Sequence, residues 1–399
     1  MSDTGTSGDI VIVSTARTPI GKFGGALAGS NAVDIGGQSI AAAIERSGMS
    51  PEAFDEAIVG QARQAGSGPN PGRLMAIGGG LPASVPAHTV QQACLSSMKA
   101  IILAGQAIRL GEAETVLAGG SEHMSGIPYY LMNMRWGLKS GDSVAVDGLF
   151  RDGFTDPLTG HLMGELAEAW RGRFGIDRDA QDAFALQSQQ GVKRALESGF
   201  TERVIVPVQV PDRRNQPVTV DQDEHPRPDT TLEGLAKLRP AYTPDGAITA
   251  GNASGVTDGA VALVVMSDDS ARAAGIEPLA YVRSWAVVAV EPQDYGLAVV
   301  PASRMALDRA GLTFDDMDHV EINEAYAVMV LAACQRMDLD PARVNPYGGA
   351  IALGHPVGAS GARVIQYAVE GLAHDGGRYA LASICGNGGH GAAVVLERA

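Results

Sequence analysis

The chain has 399 residues, 45% apolar and 19% charged, the composition of a globular enzyme with room for two or three domains. Its net charge of −15 at pH 7, with no run of Lys and Arg, excludes nucleic acid as an expected partner. Three cysteines, Cys94, Cys334 and Cys385, are too few for a disulfide framework and lack Cys-x-x-Cys spacing, so a reduced, cytoplasmic compartment and no metal are expected.

The first nine residues are polar and small, without the basic start and apolar core of a signal peptide. No apolar run approaches the ~20 residues of a spanning helix, so no membrane contact is expected. Residues 43–55 read as the end of an amphipathic helix, a glycine stop, a short turn and a strand. A β-like Pro86-Ala-His-Thr-Val90 leads to Cys94, a long helix follows from Met98, and 115–117 is β-rich. Helices are predicted near 164–174 and 180–198, followed by a turn-rich, charged stretch at 211–227. The apolar run 261–266 has strand length. Glu321-Ile-Asn-Glu-Ala-Tyr326 ends a strand and opens a helix whose apolar run, 327–334, makes Cys334 a core residue. His355 stands in a glycine-rich loop before another helix, and 379–383 is a strand entering a glycine-rich turn, Ser383 to Gly391.

The chain repeats itself. The segment from Ala43 matches the segment from Ala306, and that from Met98 matches that from Gly361, both at an offset of 263 residues. After the second match, Gly391 follows Gly361 by 30 residues, whereas the similar Gly259 follows Met98 by 161. The first half therefore carries an insertion of about 131 residues, placed at 122–248. Alternating strands and helices in each half predict two mixed sheets with helices between and outside them. Cys94 and His355 each lie just before the shared helix, which places a site on the seam of the duplication.

Several residues could carry chemistry there. A cysteine at a helix N-terminus feels the positive end of the dipole, which lowers its pKa; that would make Cys94 a nucleophile, the alternative being a small buried hydrophobe. Cys385 opens a glycine-rich turn whose N–H groups could hold a negative oxygen, or which is only a sharp connection. His355, set among glycines, could act as a base toward a thiol, or face solvent. His390 reads as a turn residue, and His88 and His374 as surface positions. Asn323 could hold a water or an oxygen through its amide, or cap the helix after it.

Together these segments resemble the thiolase family over nearly the whole chain. The likeness runs from Val11-Ile-Val-Ser-Thr-Ala-Arg-Thr-Pro-Ile-Gly-Lys-Phe-Gly-Gly25 through Cys94 and Ala118-Gly-Gly-Ser-Glu-His-Met-Ser125. Thr249-Ala-Gly-Asn-Ala-Ser-Gly255, Asn323-Glu-Ala-Tyr326, Gly348-Gly-Ala-Ile-Ala-Leu-Gly-His-Pro356 and Cys385-x-x-Gly-Gly-x-Gly391 follow in family order. The resemblance implies an α/β thiolase fold with duplicated halves. Each half would hold a mixed five-stranded sheet in a layered α-β-α-β-α arrangement, with an inserted loop domain. The halves would be 1–121 with 249–275 and 276–399, and 122–248 would be the CoA-binding loop domain. It implies Cys94 as the acylated nucleophile, His355 as its base, Cys385 as the shuttle of the α-proton, and Asn323 as holder of a water at the enolate oxygen. Backbone N–H groups of Cys94 and Asn387 would form the oxyanion hole, and Arg227 and Ser254 would contact CoA. No cofactor is implied, coenzyme A thioesters being substrates, and a homodimer or homotetramer is expected. Departures fall around the acyl group: Leu95 beside the nucleophile, Ser97, Gln91, Leu162 before Met163, and Tyr295. Two other functions share the pattern, a ketoacyl-synthase-like condensing enzyme and a catalytically silent scaffold; Asn323 and Cys385 speak against the first and the intact reacting set against the second.

Overall fold

The computed structural model describes residues 9–212 and 214–399. In the first half, β1 (Ile10–Arg17), β2 (Glu56–Gly60), β3 (Ala87–Val90), β4 (Thr115–His123) and β5 (Thr257–Ser267) form one sheet in the order β3-β2-β4-β5-β1. β2 runs parallel to both neighbours, and β5 antiparallel to β4 and β1. In the second half, β6 (Ala280–Ala289), β7 (His319–Ile322), β8 (Tyr379–Gly386) and β9 (His390–Arg398) form the order β7-β8-β9-β6. The fifth position is reduced to one bridge, Val320 to Val344, because the glycine-rich chain after Val344 turns away toward the site. The sheets meet edge to edge where β1 pairs with β6 at Val11–Tyr281 and Ile12–Ala280, so a single twisted surface spans both halves.

The repeat offset is visible in three dimensions. Helix α1 (Ala32–Ser47) and its counterpart, Val299–Ala310, both end on a glycine in the left-handed conformation, Gly48 and Gly311. Helices α2 (Ser96–Leu110) and α3 (Val357–Asp375) are the shared helices, and they pack on each other between the sheets. Every residue from Val357 to Leu372 is buried, as befits a helix covered on all sides. Their crossing needs Gly361, since a side chain there would run into the backbone of Met98. All eleven residues of β5 are buried, so both faces of that strand are covered.

One expectation needs amending. Residues 93–110 reach a mean hydropathy of 1.3 over 18 residues, long and apolar enough to cross a membrane by composition. They hold α2, whose Met98, Ile101, Ile102 and Ile108 are packed into the central core with Val364 and Ile365 of α3. Their apolarity is that of a middle layer. The insertion between β4 and β5 contains helices at Met163–Phe174 and Arg178–Glu197, near the predicted places, and two small hairpins, Tyr129–Leu131 with Ala145–Asp147 and Val208–Pro211 with Pro217–Val220.

Candidate active site

The turn that presents Cys94 is forced. Between β3 and α2, Ala93 takes φ 49°, a left-handed conformation that a non-glycine residue adopts at a cost of about 1–2 kcal/mol. Ser96 holds it there: its hydroxyl donates to the Ala93 carbonyl (2.6 Å) and accepts from the Gln92 N–H (2.9 Å). The result points the Cys94 thiol into a cavity of about 240 Å³ that also receives His355, Cys385, Tyr295, Met163 and Ser254. Cys94 and Cys385, 291 positions apart, thus converge on one cavity.

His355 is 7% exposed and its main-chain N–H donates to Gly255 O at 3.0 Å, so it is a wall residue and the solvent-facing alternative is excluded. Its Nε2 lies 3.4 Å from Cys94 Sγ and its Nδ1 2.6 Å from Ser360 Oγ. The Ser360 hydroxyl spends its own proton on Pro356 O (3.0 Å), so toward the imidazole it can only accept. Nδ1 therefore carries the ring proton, and Nε2 offers its lone pair to the thiol.

The electrostatics correct one expectation. Burial pushes the Cys94 thiol up to about 11, against the opposing influence of the Arg63 cation and of the Cys94 and Asn387 main-chain N–H groups that point at the sulfur. Desolvation outweighs the helix end, and the helix proper begins two residues later, at Ser96. Burial, with Arg63 and Arg363 nearby, lowers His355 to about 3. The resting pair is thus neutral thiol and neutral imidazole. Burial also raises Cys385, which donates to Met329 Sδ at 3.1 Å and is a thiol at rest.

Asn323 directly follows β7, with its N–H on Ser383 O (3.0 Å). Its side-chain Nδ2 and Oδ1 are both buried, and neither has a partner among the described residues. It caps nothing: the following helix, Ala327–Met337, begins four residues on, with Tyr326 at its cap position. A wholly unsatisfied buried amide needs a partner from outside the chain, such as a water or a substrate oxygen.

The remaining site residues divide. Leu162, Met163, Tyr295, Ser254 and Asn387 line the cavity. Tyr295 is anchored by its hydroxyl on Met163 O (3.0 Å) and its ring on Trp170. Leu95 does not line the cavity: it is fully buried in the central core, against Gly386, because the turn at Ala93 sends consecutive side chains to opposite sides. Ser97 serves the fold, accepting the Ala362 N–H across the helix crossing (2.8 Å). Arg227 is exposed, two residues beyond His225, whose ring abuts Gly255 next to Ser254. His390 borders a second cavity, of about 850 Å³, that shares Cys94 with the first.

Sequence reasoning missed Ser360, Tyr242, Tyr326, Glu122 and Arg63. Tyr242 and Tyr326 line the cavity and join hydroxyls at 3.1 Å. Glu122 is buried and accepts main-chain N–H groups of Ala62, Arg63 and Gly358; burial lifts it to about 7. The one available signal was a basic residue, Arg63, three positions beyond the end of the apolar strand β2.

Comparison with known proteins agrees with this geometry. Residues 10–269 match the model for the thiolase N-terminal domain and 276–398 that for the C-terminal domain. An acetyl-CoA acetyltransferase of Cupriavidus necator is 46% identical over 98% of this chain and 99% of its own length. A probable acetyl-CoA acetyltransferase of Escherichia coli is 45% identical over the same shares. Among solved structures, human mitochondrial 3-ketoacyl-CoA thiolase superposes with a TM-score of 0.95 at 38% identity, covering 99% of this chain and 100% of that one. The Bacillus anthracis acetyl-CoA acetyltransferase does so with 0.96, also at 38% and with the same coverage. Two domain models that together span the described chain, relatives matched end to end, and a cysteine–histidine pair on the seam of the duplication lead to one conclusion: the chain belongs to the thiolase family.

Proposed function

We propose that this protein is an acyltransferase that carries an acyl group on Cys94 and reversibly cleaves short 3-ketoacyl-CoA with CoA into acetyl-CoA and a shortened acyl-CoA. The observation that carries the reading is the His355 lone pair held 3.4 Å from the Cys94 thiol in one cavity. In the cleavage direction, Cys94 Sγ attacks the 3-carbonyl carbon while its proton passes to His355 Nε2. The Cys94 and Asn387 N–H groups, already aimed at the sulfur, receive the developing oxyanion. The C2–C3 bond breaks, and its electron pair forms the enolate of acetyl-CoA. A water held by the Asn323 amide, with the His355 imidazolium, meets the enolate oxygen. Cys385, a thiol at rest, gives its proton to C2, and acetyl-CoA leaves. The Cys385 thiolate then takes the proton of CoA, whose sulfur attacks the acyl group; Cys94 departs and recovers its proton from His355. Condensation is the reverse.

Ser254 at the cavity wall and exposed Arg227 beyond it would hold the CoA arm and its phosphates, which gives the inserted segment 122–248 its role. Three free cysteines suit a reducing compartment, the cytoplasm. Homo-oligomerisation is supported by the apolar side chains that the first hairpin region presents to solvent, Tyr129, Leu131 and Trp136 among them, and by the open edge of β3. The test is direct. Brief acetyl-CoA exposure should leave one acetyl group on the Cys94 peptide, and Cys385→Ser should keep that label while losing C–C cleavage; acetylation elsewhere with Cys94 free would overturn the assignment.

A further inference from the structure

Arg63 is used neither by this mechanism nor by the fold's ion pairs. It follows β2, is 6% exposed, and lines both the 240 Å³ cavity and the 850 Å³ one. Among the described residues, no side chain or carbonyl accepts from its guanidinium, and its Nε is buried without a partner. The acid beside it, Glu122, already accepts three main-chain N–H bonds, at 3.1, 3.2 and 2.9 Å, and forms no ion pair with it. Asp152, in the larger cavity, is engaged by Tyr130 at 2.5 Å and Arg151 at 3.8 Å. The guanidinium instead lies against an aromatic ring and a glycine: its Cζ stands 5.3 Å from the Phe154 ring, and a side chain at Gly153 would meet the guanidinium in its present position.

A buried, unpaired cation is costly, and a hydrocarbon chain laid against it would leave it so. The two cavities meet at Cys94, Arg63 and Asn387, so an acyl group on Cys94 that extends into the larger one passes the guanidinium. That chamber is more polar than the smaller cavity: Gln64, Gln91 and Gln92 line it beside Ile127, Pro157 and Val357. We propose that Arg63 determines specificity by binding a carboxylate at the far end of the acyl group, so that the preferred substrates are 3-oxoacyl-CoA thioesters bearing a terminal carboxylate. This rests on the acyl-transfer reading above and names its substrate class. A guanidinium–carboxylate pair adds up to two parallel charge-assisted hydrogen bonds, each worth a selectivity of about tenfold or more.

Two measurements test it. The first compares thiolysis of 3-oxoadipyl-CoA with that of 3-oxohexanoyl-CoA, which differ only in the terminal group, by wild type, Arg63→Met and Arg63→Lys. The expected result is a wild-type kcat/KM ratio of at least about tenfold favouring the carboxylate, reversal in the Met variant and partial retention in the Lys variant. A wild-type ratio near one, or a parallel fall for both thioesters in the variants, overturns the proposal; the parallel fall would assign Arg63 to the CoA phosphates common to both. The second compares alkylation of Cys94 by iodoacetate and iodoacetamide, which needs no turnover. Arg63→Met should lower the iodoacetate-to-iodoacetamide rate ratio about tenfold, and an unchanged ratio overturns the assignment. If wild type cleaves no 3-oxoacyl-CoA at all, the acyl-transfer reading fails, and the alkylation ratio still decides whether Arg63 reads an anion beside Cys94.

Discussion

Ser360 touches no substrate, yet it decides whether His355 can act as a base. In Ser360→Ala, the Nδ1–H of a ring that is 7% exposed loses its 2.6 Å acceptor. An unsatisfied buried donor costs about 1–3 kcal/mol. The imidazole can avoid that cost only by moving its proton to Nε2, where the lone pair facing Cys94 Sγ disappears. Both routes tax the same step, so acylation of Cys94 should slow by about 5–150-fold, the rate equivalent of that range. Rapid-quench single turnover with acetyl-CoA, read as the acetylated Cys94 peptide, measures the step in isolation. Ser360→Thr, which keeps the hydroxyl, should recover most of the rate, and thermal unfolding of both variants separates positioning from folding. Acylation by Ser360→Ala at the wild-type rate, or a deficit that tracks only the loss of folded protein, would refute the tautomer argument.

Because burial raises Cys94 to about 11 and lowers His355 to about 3, no thiolate–imidazolium pair exists at rest. Iodoacetamide alkylation of Cys94 should therefore climb about tenfold per pH unit between roughly pH 7 and 10, and a plateau beginning near pH 6 would show that a pre-formed ion pair is present after all. Tyr295→Met should raise kcat/KM for longer 3-ketoacyl-CoA thioesters more than for acetoacetyl-CoA, by up to tens-fold, since one methylene of pocket is worth about 1–3 kcal/mol; an equal response from both would remove Tyr295 from the acyl wall. Sedimentation at micromolar concentration should show a species heavier than the 41.2 kDa chain, and a pure monomer would leave the exposed Trp136 region without its covering partner.

What could be read from the residues was what depends on local pattern. The 263-residue offset anticipated α1 and its counterpart ending at Gly48 and Gly311, β2 against β7, α2 against α3, and β4 against β8. It also brought Cys94 and His355 to the seam, because both precede the shared helices. Properties set by what packs around a residue from elsewhere were not legible. The dipole argument gave Cys94 a lowered pKa, but the roof over the cavity comes from the insertion and from the second half, and its desolvation dominates. Asn323 fitted a cap by composition, yet the chain runs three more residues before turning helical. Leu95 adjoins the nucleophile in sequence and faces the core in space, a reversal produced by one left-handed residue. Arg63 carried no motif, and what marks it out is a buried guanidinium that donates to no acceptor among the described residues.

The helix crossing at Gly361 has a consequence for how the protein gains activity. The nucleophile stands at the head of α2 and its base at the head of α3, and the two heads are registered by the crossing where Gly361 meets Met98 and Ser97 accepts the Ala362 N–H, between halves that are far apart in the chain. Neither half by itself holds a complete proton-transfer pair. During refolding, recovery of the 3.4 Å approach must then lag behind formation of either half, and labelling of Cys94 by acetyl-CoA becomes a stopwatch for their docking.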